Sequence, residues 1–404
     1  MSQRPSRIGA LLCTVACALA FAVGCIPLPD FYVPPDTLPD DPGDIVRTFP
    51  VLLNKQQTYR GTAVMYRSND ALDQPNVVTG TLYEPKEAWA GSGPRPLIAF
   101  AVGTQGVGDK CAPSQTLPTG SNYELGTIQA LLNQGWAVAV TDYDKLGTPG
   151  DPTYIIKDAE AHAVLDMVRA VGNLTDTDVT ADSPVGLWGY SQGGQASAAA
   201  AEIESTYAPE LDIVGAVAGG VPSDLVKMTD WLNRPPGNDY FAVLTFAALG
   251  LDSAYPELDL SSYLNADGKL LFDAVHTTDN ICLFDAITLL KGKTIEDFTT
   301  TNPLETVPAW QQRVAQQKLG SKVPQVPVFQ FHGNIDQLVP YDQGTTLRDA
   351  WCAAGADVTF KDYPTDHFGG LVAGNNDGIA FMTARFAGTP STLVVDSRCR
   401  RRGQ

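Results

Sequence analysis

Cations are scarce in this chain. Of its 404 residues 27 are Lys or Arg against 45 Asp or Glu, a formal net charge of −18. Nucleic-acid phosphates need neutralising cations, so this balance excludes nucleic acid as a partner, and it gives anionic membranes no electrostatic hold. Histidine is rarer still, with four in all, and none stands in a His-Glu-x-x-His spacing, so no metal site is expected. Internal repeats and low-complexity tracts are missing. Beyond the first residues no apolar run reaches the ~18 positions of a membrane span. What remains, 44% apolar and 18% charged, is the composition of a folded globular protein able to bury a sizeable core.

The amino terminus reads as an export signal. Arg4 and Arg7 precede an uncharged run over 8–24, flanked like a secretory leader rather than a stop-transfer helix, so residues 1–24 are set aside from the fold. Of the seven cysteines, Cys13 and Cys17 leave with the leader. Cys25, Cys111, Cys282, Cys352 and Cys399 remain; an exported protein favours pairing, and an odd number cannot all pair. Cys25 is the odd one, because Ala22-Val23-Gly24-Cys25 resembles a bacterial lipobox that lacks its leucine. Lipidation of Cys25, which would anchor the protein to a membrane, and ordinary cleavage nearby are the two readings. The Pro- and Asp-rich stretch within 25–44 serves as an N-terminal arm or tether.

From residue 45 short apolar runs alternate with helical patterns, which predicts a doubly wound, mostly parallel sheet with crossover helices. Strands are expected over 77–83, 96–102, 136–142, 185–189, 213–217, 326–331 and near 357–363, and helices over 124–133, 155–171, 192–206, 345–354 and 378–386. The interval between the strands at 213–217 and 326–331 is far longer than a strand-to-helix return requires. It mixes apolar helical patterns with proline breaks and few β-branched runs, so 227–320 is expected to be an inserted helical cap, with two ordinary βα units as the alternative. The core then comprises 45–226 and 321–390, and 391–404 is a solvated tail carrying Arg398, Arg400, Arg401 and Arg402.

One motif sits at the end of a predicted strand: Gly189-Tyr190-Ser191-Gln192-Gly193, leading into an alanine-rich helix. With 37 glycines a Gly-x-Ser-x-Gly string arises by chance in roughly one chain of this size in seven, so alone it carries little weight. Its strand-turn-helix setting is what gives it meaning, because a nucleophilic serine on such a turn needs flanking residues without side chains. A serine hydroxyl is a poor nucleophile until a histidine, oriented by a carboxylate, takes its proton. In a doubly wound sheet the chain order is serine, acid, histidine. Ser191, Asp336 and His367 satisfy it. His162 lies in a helical pattern, His276 in the cap, and His332 ends a strand with no strand-end acid between it and the serine. Among acids, Asp366 adjoins the histidine and points away from it, and Asp342 opens a helix, where a carboxylate caps free amides. Asp336 follows an apolar strand and a Gly-Asn turn, from which it can reach across the sheet top. The oxyanion of an acyl-transfer intermediate needs two donors. They are expected from the backbone amide of Gln192 and from Gln105, by backbone or side chain, in the loop Gly103-Thr104-Gln105-Gly106-Val107-Gly108.

With these residues in view, the chain resembles the secretory lipases of the lipase A type, an α/β-hydrolase family. The resemblance is carried by Phe31-Tyr32 with the arm after it, Asp109-Lys110-Cys111-Ala112-Pro113-Ser114, Gly189-Tyr190-Ser191, Tyr207-Ala208-Pro209-Glu210-Leu211-Asp212-Ile213-Val214-Gly215-Ala216, Val339-Pro340-Tyr341, and Tyr363-Pro364 leading to His367. The family implies an α/β-hydrolase fold with a helical cap over the site. It also implies disulfides at the positions matching Cys111 with Cys282 and Cys352 with Cys399. At the oxyanion position Gln105 stands where the yeast enzyme has an aspartate. Together the motif and the resemblance predict an exported, monomeric carboxylic-ester hydrolase without a cofactor. Its substrates would be acylglycerol-like or other hydrophobic esters, met at a lipid–water interface. A serine peptidase, amidase or acyltransferase on the same fold is the enzymatic alternative, and a surface-anchored binding protein on a disused hydrolase scaffold is the alternative of another class.

Overall fold

The computed structural model describes residues 31–277, 281–391, 393 and 395–399. The expected leader 1–24, Cys25 with its lipidation, and Arg400, Arg401 and Arg402 lie outside them.

Ten strands form one sheet: β1 Ile45–Leu53, β2 Gln56–Asn69, β3 Pro75–Pro85, β4 Leu97–Ala101, β5 Ala137–Asp144, β6 Val185–Tyr190, β7 Ile213–Gly219, β8 Val328–Gly333, β9 Val358–Tyr363 and β10 Ser397–Cys399. Their spatial order is β1-β2-β3-β5-β4-β6-β7-β8-β9-β10. The six strands from β5 to β9 are parallel. β4, β5, β6 and β8 are buried along their whole length, as strands covered by helices on both faces must be. The helices Lys157–Gly172, Gln192–Tyr207 and Tyr341–Ala353 share one face, where Trp351 Nε1 on the third donates to Glu202 Oε1 on the second at 2.8 Å. Leu125–Leu132 and Asn375–Phe386 cover the other, and Asn375 Nδ2 donates to Thr127 Oγ1 between them at 2.9 Å. Small residues set the closeness of this packing: a Cβ on Gly194 would run into the carbonyl of Gly219 on β7.

Both sheet edges hold strands beyond those expected. β1 and β2 form an antiparallel hairpin whose two turn residues, Asn54 and Lys55, lie at φ 45° and 58°. That is the primed geometry matching strand twist, reached here without glycine. β1 alternates half-buried and exposed positions and carries Pro50, which an edge strand tolerates. At the opposite edge, residues 397–399 were expected in a solvated tail; instead they pair antiparallel with β9. Arg398 Nε donates to Thr359 Oγ1 at 3.1 Å, and Cys399 is disulfide-bonded to Cys352. A short strand stapled at its end is ordered despite its charge.

Between β7 and β8 the described residues form helices, among them Leu225–Leu232, Phe241–Ala254, Ala266–Thr277, Leu283–Leu290 and Pro308–Gln316. Their apolar faces make a second cluster, separate from the one around the sheet. The spatial order β5-β4-β6 puts the strands that follow β4 in the chain on opposite sides of it, which opens a crevice at the carboxyl ends of β4 and β6. The cap lies over that crevice.

Candidate active site

Ser191 follows β6 at φ 60° and ψ −121°, and helix Gln192–Tyr207 begins at the next residue. A residue other than glycine at positive φ is strained, so the surroundings must impose the turn. They do: Ser191 N–H donates to Gly219 O at 2.9 Å, and Ser191 O accepts from Gln195 N–H at 3.0 Å. The motif's glycines are also required sterically. A Cβ on Gly189 would overlap the carbonyl of Gly193, and one on Gly193 would overlap that of Ala101 on β4.

The structure brings the three sequence-predicted side chains together. His367 Nε2 is 3.0 Å from Ser191 Oγ, and His367 Nδ1 is 2.6 Å from Asp336 Oδ2. His367 opens helix His367–Ala373 and is buried, as is Asp336 in the turn after β8. Asp336 Oδ1 accepts from the N–H groups of Leu338 and Val339 at 2.9 and 2.8 Å. Burial alone would raise this carboxyl, but His367 beside it and hydrogen bonding from His332 and His367 hold it well below the usual carboxylate range. It is therefore ionised and able to stabilise an imidazolium.

The other candidates fall elsewhere. Asp366 caps its helix, accepting from Gly369 N–H at 2.8 Å. His332 Nε2 lies 2.9 Å from Val339 O and 3.4 Å from Asp336 Oδ2, so it supports the acid without reaching the serine. His162 Nδ1 sits 3.2 Å from Asp70 O, and His276 Nε2 sits 2.8 Å from Asp151 Oδ2.

Two residues that sequence reasoning missed fix the histidine backbone. Tyr190 OH donates to His367 O at 2.6 Å, and His367 N–H donates to Gln337 Oε1 at 3.0 Å. Gln337 is in turn held by the cap, with its carbonyl accepting from Trp231 Nε1 at 3.1 Å and its Nε2 donating to Tyr240 OH at 2.9 Å. Tyr190 occupies a variable place of the motif, and Gln337 follows the acid directly; adjacency to the triad was the only available signal.

On the oxyanion side, Gln192 is the first residue of its helix, where backbone N–H groups have no partner within the helix. The Gln105 carboxamide is already engaged: Nε2 donates to Gly103 O at 2.8 Å and Oε1 accepts from Asn122 Nδ2 at 2.9 Å. The loop is tied to the cap as well. Leu283 N–H donates to Gln105 O at 2.8 Å, Val107 N–H donates to Ile281 O at 3.0 Å, and Cys111 is disulfide-bonded to Cys282.

Ser191 faces two spaces of unequal size. Towards the cap it meets a cavity of about 170 Å³ lined by apolar side chains that include Phe241, Leu244, Phe246, Leu271 and Trp310. Beside it lies a smaller space of about 20 Å³ among Thr104, Tyr123, His367, Phe368 and Leu371. Among the described residues no cluster of His, Cys, Asp or Glu is placed to hold a metal ion.

This geometry can be set beside known proteins. Candida antarctica lipase A superposes with a TM-score of 0.77 at 24% identity, covering 89% of this chain and 85% of that one, which shows the α/β-hydrolase fold. A protein named probable inactive lipase from Mycobacterium tuberculosis is 31% identical over 90% of this chain and 82% of its own length. Lipase 5 of Candida albicans is 30% identical over 80% of this chain and 72% of its own. The model of the secretory lipase family matches residues 111–393. That span runs from the first disulfide through cap, acid and histidine, and the chain belongs to the secretory lipase family.

Proposed function

We propose that this protein is an exported carboxylic-ester hydrolase acting on acylglycerol-like or other hydrophobic esters through an acyl-enzyme on Ser191. The observation that carries the reading is the unbroken Ser191–His367–Asp336 chain of contacts, opening directly onto the apolar cavity under the cap. Ser191 Oγ attacks the ester carbonyl while His367 Nε2 takes its proton. Asp336 keeps Nδ1 protonated and offsets the imidazolium charge. The main-chain amides of Gln192 and Gln105 hold the oxyanion, since the Gln105 carboxamide is already engaged. His367 then returns the proton to the alcohol leaving group, and water, activated by the same imidazole, releases the acid.

The larger space takes the acyl chain, because its lining is overwhelmingly apolar. The alcohol leaves through the narrower side. The names of Lipase 5 of Candida albicans and Candida antarctica lipase A support this reading; the Mycobacterium tuberculosis relative is named a probable inactive lipase, and the intact contact chain argues against a disused scaffold here.

Turnover of p-nitrophenyl esters against p-nitroanilides of the same acyl group tests it. The esters should be cleaved with a preference for medium or long chains, and Ser191→Ala should abolish that turnover. Faster cleavage of the anilide would make the protein an amidase, and undiminished turnover in the variant would remove the assignment.

A further inference from the structure

Two carboxyl groups lie beneath this site and take no part in the steps above. Glu124 and Glu160 are 1% and 0% exposed. Glu124 Oε2 accepts from Gly103 N–H at 3.1 Å, at the start of the loop after β4. Its two predecessors grip the same loop: Tyr123 OH donates to Thr104 O at 2.9 Å and Asn122 Nδ2 donates to Gln105 Oε1 at 2.9 Å. Three consecutive residues thus hold three consecutive residues, in opposite order.

Across the serine, Glu160 Oε1 accepts from Gln192 Nε2 at 2.7 Å and from Ile155 N–H at 2.8 Å. Ile155 is itself at φ 62°, and its carbonyl accepts from Gln195 Nε2 at 3.3 Å. Each carboxyl has one buried oxygen, Glu124 Oε1 and Glu160 Oε2, with no hydrogen-bond partner among the described residues.

We propose that Glu124 and Glu160 are a pair of positioning residues, one for each oxyanion donor: Glu124 holds the Gly103-Thr104-Gln105 loop and Glu160 holds Gln192. The assignment rests on the reading of Ser191 given above. Both carboxyls do this as uncharged acids. A buried carboxylate without a cation is costly, and the group neutralises instead. Burial pushes each up to about 8, against lowering by the Gly103 amide for Glu124 and by Gln192 and Ile155 for Glu160. The titratable groups facing them are Tyr123, Tyr143 and Tyr154, which burial raises above the ordinary tyrosine range, so they stay neutral while the acids titrate. An ionised Glu124 or Glu160 would set a negative charge behind a donor that must stabilise negative charge, and would draw that donor towards itself. Hydrolysis is therefore switched down as pH rises through their range.

The experiment measures kcat and KM on a p-nitrophenyl ester from pH 6 to pH 10, with active enzyme counted by a fluorophosphonate. Variants are Glu124→Gln and Glu160→Gln, singly and together, and the two alanine variants. In the native protein kcat should fall on the alkaline side, by up to about tenfold per pH unit for each of the two acids beyond its range. The double glutamine variant, which keeps the acceptor oxygens and cannot ionise, should lose that fall. The alanine variants should lower kcat by tenfold or more, with KM moved by less than about threefold. The infrared carbonyl band of protonated carboxyls in the native protein, present at neutral pH and lost at pH 10, gives the same answer if a variant does not fold. An alkaline fall shared by the double glutamine variant, or no such band at neutral pH, overturns the proposal. A native protein that neither takes the phosphonate nor turns over ester fails at the reading of Ser191 and takes this proposal with it.

Discussion

The sheet and the cap each bury an apolar cluster, and the two are put to different uses. Around the sheet Trp188, Phe329, Phe331 and Trp351 are almost fully buried against the crossover helices. In the cap Phe241, Phe246 and Trp310 are just as buried, yet the helices that carry them leave about 170 Å³ unfilled. On the function proposed above, the sheet cluster serves stability and the cap cluster receives substrate, with Ser191 lining the cap cavity.

The strongest test of that division is Ser191→Ala. It should cut kcat by about 10⁶ and leave the melting temperature close to that of the native protein, because neither cluster loses an atom. A large fall in stability would mean the serine also braces the fold. Asp336→Asn should cost about 10⁴ in kcat by favouring the wrong imidazole tautomer. A loss of tenfold or less would transfer the orienting role to another group.

Truncation within each cluster separates filling from lining. Phe329→Ala in the sheet cluster should destabilise by about 3–5 kcal/mol and leave the order of preference among acyl chains unchanged. Ala248→Phe, beside the cap cavity, should do the reverse: stability shifts by about 1 kcal/mol while long-chain esters lose at least tenfold relative to short ones. Denaturant melts and a chain-length series on both variants check this, and matching profiles would dissolve the distinction.

A further test is a pH dependence of stability on the sheet side. Burial raises Glu124 and Glu160 to about 8 from 4.5, and Asp142 to about 6 from 3.8 despite hydrogen bonds from Ser114 and Thr79. Folded-state values above unfolded ones favour folding fully below the unfolded range, and the benefit is lost as pH rises through 6 to 8. Asp336 is lowered and contributes in the opposite sense only at far lower pH. The melting temperature should therefore be higher at pH 5 than at pH 9, with the gap narrowed in Glu124→Gln and Glu160→Gln. Equal melting temperatures would show these carboxyls to be charged at neutral pH.

Much of this organisation was legible in the residues. The parallel strands announce themselves as short apolar runs because both faces are covered, and Ser191, Asp336 and His367 follow from strand-end placement and chain order. The edges were not legible. β1 is half-exposed and contains Pro50, β2 is exposed near its start, the two turn on Asn54-Lys55 without a glycine, and β10 is three residues held by pairing and a disulfide rather than by its own pattern. Nor were the supports of the site. Glu124 and Glu160 sit at a helix start and within a helix, where glutamate is ordinarily solvated; only the three-dimensional packing buries them. Whether Gln105 would serve by side chain or backbone was open in the residues; its carboxamide is committed to Gly103 and Asn122.

The central claim is that Ser191 is a nucleophile activated by His367. Incubation with a fluorophosphonate, followed by digestion and mass spectrometry of the peptides, addresses it most directly. The account predicts one adduct per chain, located on Ser191, formed in step with the loss of ester turnover and prevented in His367→Ala. An adduct on any other residue, or full turnover in protein whose Ser191 is blocked, would contradict it.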